Sequence, residues 1–363
     1  MTDRVLAATL VESRRFELRE YGVPELTVSD GLLRIERCGV CGSDVRDWGS
    51  MDRGVRILGH ENIGHVAGLG AEAQARWGVK EGDRVALEEY LPCGVCDACR
   101  AGDYRFCPQT DIGLAGERLW YGSVAASRSP ALWGGYSQYL YLHPSAVMHR
   151  VPDHVPASEA AFFLPLANGF EWVSGYGGAE AGDCVVIQGP GQQGLACVLA
   201  AKEAGAAQII VSGLHRDAER LAVARNLGAN HTVDIESASL TEVVMDVTGG
   251  HGADVTVNVA GAEDTITESI AFAARNGVIV LGGAGDELIR TTGTGRKNLM
   301  IKWAHGHSYR SVERAIQPIA SGEHPIALVT THHFGLAEAA MAIQSVAGHG
   351  APGAIHVSIA PWG

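Results

Sequence analysis

Four cysteines crowd into "CGVCDACRAGDYRFC", where Cys93, Cys96, Cys99 and Cys107 follow a CxxCxxCx7C pattern. Thiolates at this density suit a tetrahedral centre whose positions are all taken by protein, hence zinc in a structural role. An iron–sulfur cluster competes, because Pro108 follows Cys107 as proline follows the last cysteine of ferredoxin runs, but the seven-residue gap fits it poorly. Disulfides suit an oxidising compartment, whereas the opening "MTDRVLAATLVESRRFELREYG" carries acids and bases throughout and no apolar signal core. The expected location is the cytoplasm. A closed four-thiolate site leaves no place for a substrate, so chemistry has to lie elsewhere.

Two segments offer it. "CGVCGSD" holds Cys41, Ser43 and Asp44, and "GHENIGHVAGLG" holds His60 beside Glu61. One thiolate, one imidazole and a carboxylate form an incomplete protein shell, the state in which a catalytic zinc keeps a position for water or a substrate oxygen. Singly, each is more often a buried cysteine or a core histidine. The run "QGPGQQG" spaces Gly189, Gly191 and Gly194 as GxGxxG, after the apolar "CVVI" and at the start of an Ala/Leu-rich stretch. In that context backbone N–H groups and the helix N-terminus can hold a pyrophosphate, so cofactor contacts are expected from Gly189, Gly191, Gln192, Gln193 and Gly194. The acid expected roughly 20 residues on, for the ribose 2′-hydroxyl, is replaced by Gly213, with Leu214, His215 and Arg216 following. Loss of a carboxylate and gain of cations leans the expectation toward NADP(H), with NAD(H) left open.

The elements that must position these residues change character along the chain. Residues 5 to 145 are rich in short β-like runs and glycine turns, which predicts a mostly β domain with long loops. From about residue 156, apolar strands alternate with helix-length runs, beginning at "CVVIQGPGQQGLACVLAAKEAGAAQIIVSG", as a doubly wound parallel sheet requires. Near 308 "SYRSVERAIQPIASG" reads as a helix, and "GAIHVSIAP" as a final strand returning to the first domain. With 363 residues, 46% of them hydrophobic, there is enough chain for two cores. No apolar segment is long enough to span a bilayer. A formal charge of −13 argues against sequence-independent nucleic-acid binding. Trp48, Trp120, Tyr121, Trp133 and Trp303 could line a cleft or belong to the core.

Taken together, "GVCGSD", "GHExxGxVxxxG" over 59 to 70, "GDRV" at 82 to 85, the cysteine lobe, "GGYSQYLYL" and "GPGQQG" resemble the zinc-dependent medium-chain dehydrogenases, the group of alcohol, sorbitol and threonine dehydrogenases. The resemblance extends over nearly the whole chain. It implies an α/β protein: a GroES-like β-rich catalytic domain over 1–155, a Rossmann NAD(P)-binding domain over 156–309, and a closing segment over 310–363 that rejoins the first, with the active site in the cleft between domains. It further implies that Cys41 and His60 ligate a catalytic zinc, that Glu61 is the adjacent carboxylate which ligates in some relatives, that Ser43 relays the alcohol proton and that Asp44 orients His60. Zinc would polarise the oxygen while hydride passes between carbon and nicotinamide.

One departure matters. Where relatives carry an acid or a cysteine before proline, "AFFLPLANGFEW" offers Leu164, which cannot ligate. Either Glu61 completes the shell, or zinc binds weakly there, or the site has moved toward metal-free reduction. The leading expectation is a zinc-containing NAD(P)-dependent oxidoreductase acting on a secondary alcohol or its ketone, a small molecule, as a homodimer or homotetramer. An enzyme using held nicotinamide for a transient oxidation, and a retired member serving as a binding protein, are the alternatives.

Overall fold

The computed structural model describes residues 4–114, 118–283 and 294–363. The chain divides into two compact units. The first comprises Met1–Leu164, Ser308–Glu323 and Thr330–Gly363, and the second Pro165–His307 with the short return His324–Val329.

In the first unit, alternation of side chains along "GLLRIERCG" puts Leu33 and Ile35 into the core and turns Arg34 and Glu36 to the other face. This strand, Gly31–Gly39, is the spine of a seven-stranded sheet. It pairs antiparallel with Glu61–Leu69, with Tyr139–Leu142 and with His356–Ile359, so the C-terminal strand joins the N-terminal sheet. Arg84–Leu87 and Met148–Arg150 extend one side and Thr330–Phe334 the other. A smaller sheet, ordered Arg15–Gly22, Arg4–Glu12, Arg56–Ile57, packs into the same core and bonds through Ala8 and Leu6 to the segment that leads into Tyr139–Leu142. Tyr121 and Trp133, which could have lined a cleft, are buried in this unit's core with Tyr136.

The second unit is a six-stranded, wholly parallel sheet. Its spatial order is His231–Asp234, Gln208–Gly213, Cys184–Gln188, Ala253–Asn258, Ala273–Leu281, Met300–Trp303. The strand met first in the chain therefore lies in the interior of the sheet, and the order reverses beside it, which is the doubly wound arrangement. Every residue of "CVVIQ" is buried because helices cover both faces of such a strand, hence the continuous apolar run in place of alternation. The following helix, Gln192–Glu203, is buried from Gly194 to Ala201, where small and aliphatic side chains let it pack close to the sheet. Helix Phe163–Phe170 passes directly into a π-helical segment, Glu171–Tyr176, for which no periodicity in the chain gives warning.

Candidate metal centres and cofactor turn

Cys41 caps the N-terminus of helix Gly42–Trp48 in an extended conformation, and three residues on, Asp44 turns back toward it. The Asp44 carboxylate is buried and works in three directions. Oδ2 accepts the Cys41 backbone N–H at 2.9 Å and the Tyr136 hydroxyl at 3.1 Å, and Oδ1 lies 3.4 Å from His60 Nδ1. His60 precedes the strand Glu61–Leu69, so Asp44 ties the helix start to the strand start. With Nδ1 facing Asp44, the other ring nitrogen is left inward, 3.5 Å from Ser43 Oγ. One ligand atom from each of Cys41, His60 and Glu61 lies within 4.8 Å of the others.

The electrostatics favour positive charge here. Burial opposes a charged His60, yet the Asp44 carboxylate and the Cys41 thiol outweigh it and hold the His60 pKa well above the ordinary value. Glu61 is buried and its Oε2 has no hydrogen-bond partner. A thiol, an imidazole and a buried carboxylate that converge within 4.8 Å are a donor set that fits a divalent zinc with one position to spare. Leu164 is buried and brings no donor atom.

The second cluster is the cysteine lobe. Cys96 caps the short helix Asp97–Ala101, which ends at a left-handed Gly102, and a 3₁₀ turn Tyr104–Phe106 delivers Cys107. The four sulfurs lie within 4.8 Å of one another, with Cys96 to Cys99 at 3.4 Å and Cys93 to Cys99 at 3.9 Å. A zinc tetrahedron with Zn–S near 2.3 Å has sulfur–sulfur edges of about 3.8 Å, so this spacing fits the ion. None of the eight cysteines forms a disulfide. Backbone N–H groups of Val95 and Cys96 lower the Cys93 pKa to about 6, whereas burial raises that of Cys99 to about 12. Crowding thiols in this way is costly unless a cation is shared among them.

The glycine turn leaves the strand Cys184–Gln188 through Gly189, at φ +100°, and enters helix Gln192–Glu203 with Gly191 as its N-cap. A Cβ at Gly194 would stand 1.9 Å from the Gly189 carbonyl oxygen, so only glycine lets the helix pass so close to the turn. A Cβ at Gly191 would meet nothing within 4 Å: the space above that backbone is open. Gln193 is drawn inward, its amide donating to the Pro165 carbonyl at 3.1 Å, and Gln192 follows the cap. Gly213 ends its strand in register with Asp234 of the neighbouring strand. His215 meets that aspartate at 3.1 Å through Nδ1 and donates its backbone N–H to Glu236 at 2.6 Å, while Arg216 is exposed. Asp234 and Glu236 were missed in reading the sequence; an acid closing the strand-like "HTVD" is the signal that could have drawn attention to the first.

Comparison with known proteins agrees with this construction. The alcohol dehydrogenase GroES-like domain family matches residues 29–153, and the zinc-binding dehydrogenase family matches residues 194–320. A Mycobacterium tuberculosis protein named "Probable alcohol dehydrogenase adh" is 37% identical over 337 residues, covering 89% of each chain. The chain belongs to the zinc-dependent medium-chain dehydrogenases. This dehydrogenase is also 30% identical over 347 residues to the erythritol/L-threitol dehydrogenase of Mycolicibacterium smegmatis, covering 92% of this chain and 91% of the relative. Among solved structures, the alcohol dehydrogenase of Thermotoga maritima shares the fold at a TM-score of 0.86 and 24% identity, over 98% of this chain and 99% of its own. A Sinorhizobium meliloti chain solved with NADP bound aligns at 0.84 and 25% identity, over 99% of each. The protein is a zinc-containing, nicotinamide-dependent oxidoreductase of the alcohol dehydrogenase type. No helix among the described residues is long and apolar enough to cross a membrane.

Proposed function

We propose that this dehydrogenase interconverts a small secondary alcohol and its ketone at a zinc held by Cys41, His60 and Glu61, with a second, structural zinc in the lobe of Cys93, Cys96, Cys99 and Cys107. The observation that carries the reading is the convergence of Cys41, His60 and Glu61 within 4.8 Å around a histidine keyed by buried Asp44. When bound, zinc supplies a Lewis acid for the substrate oxygen and the nicotinamide a hydride donor or acceptor. Asp44 fixes the His60 ring and the Cys41 backbone, so both donors keep their aim. The Ser43 hydroxyl, beside His60 and only partly buried, takes the alcohol proton while giving its own proton to water. Glu61 stands in for the anion that Leu164 cannot provide, leaving one thiolate and one carboxylate against the divalent ion.

Gly189, Gly191, Gln192, Gln193 and Gly194 receive the pyrophosphate at the open face of the turn, and Gly213, His215 and Arg216 the adenosine ribose. The cofactor is NADP(H): Gly213 brings no carboxylate, Asp234 and Glu236 are engaged by His215, and Arg216 is exposed. Equal or tighter binding of NADH would overturn that choice. The edge strand Met300–Trp303, with Met300 and Trp303 exposed, supports a homodimer or homotetramer. The free cysteines suit the reducing cytoplasm.

Two measurements test the proposal. A panel of secondary alcohols, polyols and ketones assayed with both nicotinamide cofactors should show reversible turnover. Elemental analysis should find two zinc ions per chain, with Glu61→Gln losing zinc and turnover together. Full activity and unchanged zinc in Glu61→Gln would remove Glu61 from the shell.

A further inference from the structure

The last strand places an imidazole behind the candidate metal centre. Strand Gly31–Gly39 runs between two neighbours at its end: Gly39 pairs with Glu61 on one side and with Ser358 on the other, two residues from His356. Because Gly39 has no side chain, the Glu61 carboxylate and the His356 ring meet across its Cα. A Cβ there would come within 2.1 Å of Glu61 Oε2 and 3.1 Å of His356 Nε2. The two atoms face each other at 3.6 Å, and both residues are almost wholly buried, at 2% and 1% exposure. Neither atom has any hydrogen-bond partner. Leaving two buried polar atoms unsatisfied is costly, and closing the gap by well under an ångström satisfies both. The edge of Phe162, 5.3 Å away between ring centres, limits the alternatives open to the imidazole.

We propose that His356 is a positioning residue for Glu61: its Nε2–H donates to Glu61 Oε2, and this holds the other carboxylate oxygen toward the zinc. The inference rests on the reading of Glu61 as a ligand. It explains how a carboxylate next to His60 in the chain can complete the shell in a protein whose other ligand position is Leu164. A glutamate free to rotate would give the ion intermittent support; a glutamate held from behind gives it a permanent third donor. Nothing in the chain near residue 356 signals this role, since a lone histidine in a C-terminal strand reads as core.

The test compares zinc release from full-length His356→Ala, His356→Gln, Glu61→Gln and the double variant His356→Ala/Glu61→Gln. Release to a chromophoric chelator is followed in the phase that Cys41→Ser abolishes, which separates it from the cysteine lobe. His356→Ala should release this zinc about 10–100-fold faster than the parent, as loss of a hydrogen bond to a ligand does. His356→Gln, which can still donate, should recover most of the loss. In the Glu61→Gln background His356→Ala should add nothing, because the two act as one unit. If Glu61→Gln speeds release while His356→Ala does not, the positioning role falls and Glu61 remains a ligand. An equal acceleration by His356→Ala with and without Glu61 also refutes it. If Glu61→Gln itself leaves release unchanged, the reading of Glu61 fails and this inference with it. His356→Leu carries the same comparison should the alanine variant not fold.

Discussion

Two glycines of one turn separate a folding role from a binding role, and a pair of alanine substitutions reads them apart. At Gly191 the backbone sits at φ −71° and ψ −178°, which any residue adopts, and an added Cβ meets nothing within 4 Å. Replacing glycine at a compatible site stabilises by about 0.4–1 kcal/mol through the unfolded chain. Alanine is a poorer N-cap than glycine by an amount of similar order, so the two effects nearly cancel within about 1 kcal/mol. Gly191→Ala should therefore melt within about 4 °C of the parent. Its methyl group nevertheless points into open space, where the proposed pyrophosphate would approach the backbone, and dinucleotide affinity should fall at least about tenfold, or about 1.4 kcal/mol. Gly194→Ala behaves differently. Its Cβ would stand 1.9 Å from the Gly189 carbonyl oxygen, where real contacts stay above 3.0 Å, so helix and turn must part by more than an ångström. Overpacking of this kind costs about 1–3 kcal/mol, against a helix-propensity gain of at most about 1 kcal/mol. Gly194→Ala should lose both melting temperature and cofactor. The assay is thermal unfolding without cofactor beside fluorescence titration with NADPH and NADH. If folded Gly191→Ala binds both cofactors within about twofold of the parent, well inside the expected tenfold, the turn is not the pyrophosphate site.

Cys99→Ser should lower the melting temperature and release one zinc, because the remaining three thiols lose the charge that binds them together; a brown, iron-containing parent, or an unchanged melting temperature, would contradict this. Leu164→Glu should slow zinc release from the Cys41 phase while leaving the substrate panel active, since it adds a carboxylate without removing Glu61; faster release would show that the buried leucine is needed for packing. Stability should depend on pH through His149, which is buried with Tyr309 against its ring and between Glu88, 2.7 Å from Nε2, and Glu313 of helix Tyr309–Ser321. Burial opposes its charge, but the two glutamates outweigh burial and raise its pKa. A raised pKa means the stabilisation is full below the unfolded value near 6.5 and is lost as pH rises through the folded one. The advantage of the parent over His149→Gln in chemical denaturation should thus shrink above about pH 6.5, and a constant difference from pH 5 to 9 would refute the ion pair.

What could be read along the chain is what is local. The CxxCxxCx7C lobe is spaced so closely that helix Asp97–Ala101 and the turn before Cys107 suffice to gather its sulfurs. The strand, glycine turn and helix around Gly189 to Gly194 are likewise contiguous, and the burial of "CVVIQ" on both faces leaves an apolar run that needs no partner to be recognised. Cys41, His60 and Glu61 were legible only through the company of "GVCGSD" and "GHExxGxVxxxG", because a cysteine and a histidine nearly twenty positions apart have no local reason to meet. The meeting is made by Asp44 and Tyr136, and Tyr136 comes from ninety-two residues beyond that aspartate. Only the tertiary structure could set Asp234 beside Gly213 and His356 behind Glu61. Sheet register decides both, through pairings whose partners are separated by 21 and by hundreds of residues, and a strand's own sequence records which face is apolar but not which strand lies next to it.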